Sequence, residues 1–284
     1  MPKGLEGKVV LITGATSGIG RVAARELAAL GARTFLVARD RARGEATLAE
    51  IRRTAGGDRA TLLVADLSSQ AEVRRLASDV RQRTGELHVL LNNAGAIHTR
   101  RQLSADGLEM TFALNHLAYF LLTRELLPLL EASAPSRVVN VASSAHRGAR
   151  MDWDDLLGER RYSSWKAYGQ SKLANILFTR ELSRRLAGKG VTANALHPGV
   201  VATGFGHNNR GFFRLLVTAG APFLTSPEKG ARTSIYLASA PEVAGVSGKY
   251  FAGCRERTPS DRARDDGDAR RLWEVSEALV ARTL

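Results

Sequence analysis

The chain has 284 residues, 44% of them hydrophobic, a net charge of +13 and one cysteine. That length buries a full core, as one large α/β domain or two small ones. Cys254 alone excludes an internal disulfide and gives no hint of a cysteine-based metal site, and the longest apolar runs, such as 9–12 and 87–91, fall far short of the ~20 residues a membrane span needs. The positive charge raises nucleic acid or an acidic membrane surface as partners. No basic run is interleaved with aromatics, however, and the arginines are scattered beside Glu and Asp as on solvated helix faces. The same field would favour a phosphorylated ligand. Residues 1–4 lead straight into the first apolar run, leaving no room for a signal peptide. The expectation is a cytoplasmic protein with no nucleic-acid partner and no integral membrane segment.

In chain order, residues 8–13 (KVVLIT) read as a buried parallel strand bounded by glycine. A glycine turn follows, then an alanine-rich helix over 21–30 that Gly31 stops. A strand at 33–38, a helix at 41–53, a strand at 60–65, a helix at 70–83 and a strand at 87–91 repeat the alternation. A long helix is predicted over 103–130, with Ser104 as N-cap and an end near Pro128. Strands follow at 137–142 and 191–196, with a helix over 162–187 between them. A helix at 227–238 and a short strand at 249–252 complete the pattern. Alternation at this spacing means βαβ units, and predicts a single doubly wound Rossmann-type parallel sheet of about seven strands with helices on both faces.

No internal repeat or linker separates domains, so residues 1–284 are expected to form one unit. Two stretches break the rhythm. Residues 145–163 are polar, and residues 203–226 mix Gly, Asn, Phe and Leu; loops of that length are functional or mobile. The segment 255–270 is charged and expected to be exposed. It precedes an amphipathic helix at about 268–281 with apolar Leu272, Trp273, Val275, Leu279 and Val280.

Gly14-Ala15-Thr16-Ser17-Gly18-Ile19-Gly20 lies between the first strand and the first helix, where a doubly wound sheet binds a nucleotide pyrophosphate. Its spacing is Gly-x-x-x-Gly-x-Gly. At the end of the second strand, Arg39 is placed to pair with the 2′-phosphate of NADP, while Asp40 more naturally starts the next helix. The competing reading makes Arg39 a surface residue and turns Asp40 back to the ribose. Tyr168 and Lys172 are four apart on one helix and share a face. An ammonium near a phenol favours the phenolate, which lowers the tyrosine pKa from about 10 and fits it for proton transfer. The six histidines show no metal-ligand spacing. His116 and His197 read as packing or hydrogen-bonding residues, and Trp153 and Trp165 as cover for the 145–163 insert.

The glycine turn, Asp66-Leu67, Asn92-Asn93-Ala94-Gly95, Asn115, Ser143, Tyr168-x-x-x-Lys172 and His197-Pro198-Gly199 fall in an order that resembles the short-chain dehydrogenase/reductase family over nearly the whole chain. Ala38-Arg39-Asp40, Asn115-His116-Leu117, the segment 139–144 and the segment 167–175 resemble its retinol dehydrogenase-like branch. So do the wide Ser143–Tyr168 gap and residues 271–277. Many members of that branch carry an N-terminal membrane segment, and residues 1–284 are not expected to include one.

The resemblance implies an NADP(H)-dependent oxidoreductase interconverting an alcohol and a ketone or aldehyde. Tyr168 is then the proton donor or acceptor, Lys172 lowers its pKa and bonds the nicotinamide ribose, and Ser143 holds the substrate oxygen, with Ser144 as fallback. Asn115 keeps a water in the relay. Asp66 and Leu67 fall beside the adenine, Asn93, Ala94 and Gly95 beside the adenosine ribose and the sheet core, and Gly199, Val201 and Thr203 around the nicotinamide. Asn93 would also stabilise the central strands. The apolar residues of 203–226 would cap a lipophilic or aromatic substrate. A conjugated double-bond reductase and a non-catalytic nucleotide sensor are the other readings. The family further implies a homodimer or homotetramer through the 104–130 and catalytic helices.

Overall fold

The computed structural model of the chain describes residues 4–55, 58–199 and 225–281. Eight strands form one sheet: β1 (Val9–Thr13), β2 (Arg33–Ala38), β3 (Ala60–Val64), β4 (Val89–Asn92), β5 (Ser136–Val141), β6 (Val191–His197), β7 (Tyr250–Ala252) and β8 (Arg255–Glu256). Their order is β3-β2-β1-β4-β5-β6-β7-β8. The first seven pair in parallel, and the two-residue β8 adds an antiparallel edge that the sequence pattern did not predict. Its ladder is only Phe251 with Glu256 and Ala252 with Arg255, too short to leave a periodic signal.

Among the described residues the α-helices are α1 (Gly18–Ala29), α2 (Arg41–Ala55), α3 (Gln70–Arg83), α4 (Met110–Phe112), α5 (Ala118–Ala132), α6 (Ser164–Arg185), α7 (Pro227–Ser239) and α8 (Asp266–Ala281), with a π-helical turn at Ala113–Leu117 and short 3-10 turns at Ser144–Gly148, Pro241–Val243 and Asp261–Arg264. The period-2 alternation of the strands divides the core between the two faces of the sheet. Leu11, Leu90 and Val138 pack with Leu76, Leu126, Leu177 and Leu272 on one face. On the other, Val10, Ile12, Leu91 and Val139 meet Leu27 and Leu237.

The predicted helix at 103–130 is corrected at both ends. Leu103 and Glu109 form an antiparallel bridge around a turn in which Gly107 has φ +72°, a left-handed conformation suited to glycine. Ser104 therefore caps that turn, accepting from Asp106 N and Leu108 N. The helix starts instead at Glu109, whose buried carboxylate accepts from Thr111 N (2.9 Å) and Phe112 N (2.7 Å). At the other end Pro128 sits inside α5, which continues to Ala132. Leu126 and Leu130 are fully buried on either side of it, so continuing the apolar face outweighs the one hydrogen bond that proline removes.

The polar insert is pinned to the fold. Gln170 accepts from Asp152 N (2.7 Å) and donates to Leu156 O (2.8 Å), and Trp153 Nε1 donates to Asp268 at 2.9 Å. Trp153 is thus cover, as expected, whereas Trp165 is not. It is 60% exposed and stands edge-on to Tyr168 with ring centroids 6.5 Å apart.

Candidate active site

The strand order reverses between β1 and β4, and the carboxyl ends of the strands open a crevice at that switch point. Residues 14, 39, 66, 93, 143 and 199, which follow β1 to β6 in turn, all gather along this edge.

The glycine turn is built by close approach. Gly14 has φ +67° and Gly18 φ +50°. A Cβ on Gly20 would lie 2.2 Å from Gly14 O and 2.4 Å from Asn93 Nδ2. Ser17 caps α1 without a side-chain hydrogen bond, so no side chain of the cap claims the N–H groups of the first turn. Such a helix start is suited to a pyrophosphate. Asn93 Nδ2 donates to Thr13 O (2.8 Å) and Gly14 O (3.3 Å), while Thr13 Oγ1 accepts from Asn93 N and Ala94 N. Asn93 therefore ties β4 to the turn. Alanine normally favours a helix over glycine by ~1 kcal/mol. Here the clash reverses the sign, and Gly20→Ala is expected to cost about 2–3 kcal/mol in chemical denaturation; a neutral result would mean that the turn can shift.

Arg39 is exposed at the β2 end, and Asp40 accepts from Arg43 N at 3.0 Å, beginning α2 as the sequence suggested. Asp66 Oδ1 accepts from Ser68 N and Ser68 Oγ, and Leu67 is buried. Gly199 has φ +92° and faces Thr225. Val201, Thr203 and the stretch 203–224 lie outside the described residues.

Serine, tyrosine, lysine and asparagine converge from three elements: the end of β5, α6 and the π-helical turn. Ser143 follows β5, and its Oγ accepts from Ala145 N at 3.2 Å. The Ser143 hydroxyl is near enough to the Tyr168 phenol to work against the rise in its pKa, whereas Ser144 is exposed and its N donates to His197 Nδ1 (3.2 Å). The geometry thus favours Ser143 over Ser144. Lys172 is buried, donates from Nζ to Val141 O at 2.9 Å, and has its ammonium 5.9 Å from the Tyr168 ring centre and 5.7 Å from that of Tyr119. Asn115 sits on the π-helical turn. Its amide donates to Ala96 O (2.9 Å) and Ser171 Oγ (3.0 Å) and accepts from Ala96 N (2.8 Å). A Cβ on Gly95 would stand 3.1 Å from Asn115 Oδ1 and 3.5 Å from Lys172 Nζ, so glycine here keeps room for both.

The electrostatics correct one expectation. Burial pushes the Tyr168 phenol up to about 12, with the Ser143 hydroxyl working against the rise. Burial also pulls Lys172 down to about 7. Desolvation thus outweighs the pull of the lysine on the phenol, and both groups are driven toward their neutral forms. His116 and His197 are hydrogen-bonding residues, as expected, and no group of His, Cys, Asp and Glu among the described residues could hold a metal. Pattern reading missed Tyr119, Ser171 and Asn175. The available signal was spacing: Tyr119 lies four residues beyond Asn115, and Asn175 three beyond Lys172.

The family model described as short chain dehydrogenase matches residues 8–211. The chain belongs to the short-chain dehydrogenase/reductase family. Within it, retinol dehydrogenase 14 of Mus musculus is 45% identical over 97% of this chain and 86% of that protein, which supports the retinol dehydrogenase-like branch. A solved structure of an uncharacterized protein from Mycobacterium paratuberculosis is 38% identical, with a TM-score of 0.79 over 98% of this chain and 94% of that one. The Pseudomonas aeruginosa RhlG/NADP active-site complex is 29% identical, with a TM-score of 0.72 over 93% and 99%. This short-chain dehydrogenase is therefore an oxidoreductase with a nicotinamide-binding fold. Among its described residues no helix is long and apolar enough to cross a membrane.

Proposed function

We propose that this single-domain chain is a cytoplasmic NADP(H)-dependent oxidoreductase that interconverts an alcohol and a ketone or aldehyde on a lipophilic or aromatic substrate. The observation that carries the reading is the convergence of the Tyr168 phenol with the Ser143 hydroxyl and the buried Lys172 amine, whose Nζ stands 5.9 Å from the Tyr168 ring centre. A proton donor and a second hydroxyl then face the same oxygen. The bound nicotinamide would supply or accept the hydride.

The residues fit that cofactor. The α1 start and Gly14, Thr16, Ser17, Gly18, Ile19 and Gly20 would take the pyrophosphate. Arg39 would meet a 2′-phosphate, Asp66 and Leu67 the adenine, and Asn93, Ala94 and Gly95 the adenosine ribose. Tyr168 and Lys172 would meet the nicotinamide ribose, with Gly199, Val201 and Thr203 nearby. Tyr168 would donate its proton to the developing alkoxide, Ser143 would hold that oxygen, and Asn115 would keep a water behind Lys172. A non-catalytic sensor has no need of a lysine buried against one carbonyl and two tyrosine rings, an arrangement that costs stability.

A homodimer or homotetramer is the family expectation. In this chain Trp273 of α8 already covers the α5–α6 seam, stacking on Phe178 (5.9 Å) and edge-on to Phe120 (4.9 Å).

The cofactor assignment is tested through Arg39. Arg39→Ala is expected to raise the KM for NADPH about 10- to 100-fold by removing a charge-assisted phosphate contact, with NADH kinetics unchanged. Higher catalytic efficiency with NADH in the unsubstituted enzyme would sink it. A screen of NADPH consumption over ketones and aldehydes tests the reaction class.

A further inference from the structure

One buried hydrogen-bond chain near the site has no place in the proton transfer described above. Asn175 Nδ2 lies 2.9 Å from Asn115 O and 3.3 Å from Val141 O. The second of these carbonyls also holds Lys172 Nζ. Asn175 Oδ1 lies 3.4 Å from His116 Nδ1, and His116 Nε2 lies 2.8 Å from Ser276 Oγ on α8. Asn115, His116, Asn175 and Ser276 are all fully buried.

The chemistry fixes the direction of every bond in this chain. Two backbone carbonyls can only accept, so the NH2 of Asn175 must face them and its oxygen must face His116. His116 Nδ1 must then carry the ring proton and donate it. That leaves Nε2 as an acceptor, satisfied by the Ser276 hydroxyl. Burial pulls the His116 pKa down to about 3, so the ring stays neutral with one proton throughout the working range. Phe112 (5.0 Å) and Phe178 (6.0 Å, edge-on) enclose the imidazole, leaving it no other orientation of comparable polarity.

The turn that receives this chain needs outside support. In Ala113–Leu117 the helix widens, and Ala118 N bonds back five residues to Ala113 O. π-Helical turns of this kind mark functional positions and loosen the regular ladder. Asn175 reaches the Asn115 carbonyl at that point. We propose that Ser276, His116 and Asn175 form a positioning relay through which the C-terminal helix fixes the Asn115 carbonyl on the π-helical turn and the Val141 carbonyl that holds Lys172.

The inference rests on the oxidoreductase reading for its kinetic consequence but not for its geometry. Asn175→Ala frees the Asn115 carbonyl and leaves Val141 O to Lys172 alone. It is expected to lower kcat about 10- to 100-fold, as small misplacements near reacting groups do, while KM and NADPH affinity change less than about threefold.

Because a buried substitution can simply unfold the chain, the decisive pair is at His116. Asparagine there places an N–H close to the position of Nδ1–H and can still donate to Asn175 Oδ1. His116→Leu cannot. His116→Asn is expected to keep most of kcat, His116→Leu to lose it, with both melting temperatures lowered alike. Equal losses in the two variants, or unchanged kcat in Asn175→Ala, overturn the relay. Long-range 15N–1H spectra of the unsubstituted protein give a readout that needs no substrate. The relay requires the Nδ1–H tautomer of His116, and an Nε2–H tautomer refutes it. Failure of the carbonyl screen would count against the oxidoreductase reading alone.

Discussion

Replacing Tyr168 by phenylalanine is expected to reduce turnover about 10²- to 10⁴-fold, the usual contribution of a positioned proton donor, while NADPH binding stays within a few-fold of normal. The ring of Tyr168 is half-buried and keeps its place against Trp165, so the substitution removes one hydroxyl with little change of shape. Burial holds the phenol protonated, with a pKa near 12, and the proton is therefore present for carbonyl reduction at any physiological pH. The difficulty lies in the phenolate left behind. A charged Lys172 eases its formation, and Lys172 loses that charge as pH rises through about 7. Reduction should accordingly slow above that pH, with the fall absent from any residual Tyr168→Phe activity. Stopped-flow single turnovers from pH 6 to 9 measure both effects. Wild-type-like rates in Tyr168→Phe would mean that another group supplies the proton. A flat profile would remove the role given to the lysine charge.

The sheet and the site were legible in the sequence to different depths. Short apolar runs bounded by glycine located seven strands because burial on both faces demands such runs. The glycine turn was legible because only glycine tolerates the contact Gly20 makes with Gly14 O. What escaped was tertiary. The start of the long helix depends on a buried Glu109 capping two N–H groups, and Glu109 looks in sequence like any surface acid. The pKa of Tyr168 was misjudged for a related reason. Spacing shows that Lys172 is a neighbour but not how completely both groups are desolvated, and desolvation sets the sign. Asn175 and His116 were visible only as polar residues on apolar helices. Their role lies in partners 59 to 160 positions away, which no local pattern encodes.

The same burial predicts that Lys172→Met gives a more stable but inactive protein. A fall in lysine pKa from 10.5 to about 7, at about 1.4 kcal/mol per unit, is an order-of-magnitude penalty of ~5 kcal/mol for keeping the amine at this site at neutral pH. The sign follows from proton counts. Between pH 7 and 10.5 the unfolded chain binds more protons at this lysine than the folded one, so wild-type stability rises with pH across that window. Below about 7 the penalty is complete, and above 10.5 it has gone. Against it stands the bond from Nζ to Val141 O (2.9 Å), worth about 1.5–3 kcal/mol for a charged donor and less for a neutral one. Methionine has similar length and no charge, and adapts to irregular packing. Val141 O keeps Asn175 as a partner. The net gain at pH 7 is about 2 kcal/mol, a rise of roughly 4 °C in melting temperature for a chain of this size, and it should shrink as pH approaches 10.5. Turnover should fall at least about 10²-fold, since the phenolate loses the cation beside it. Thermal melts of both proteins at pH 7 and pH 10 decide the matter, and a variant less stable than wild type at pH 7 would show that Lys172 is not held against its solvation. A gain in stability with loss of turnover would identify Lys172 as a residue retained for chemistry at a cost to the fold.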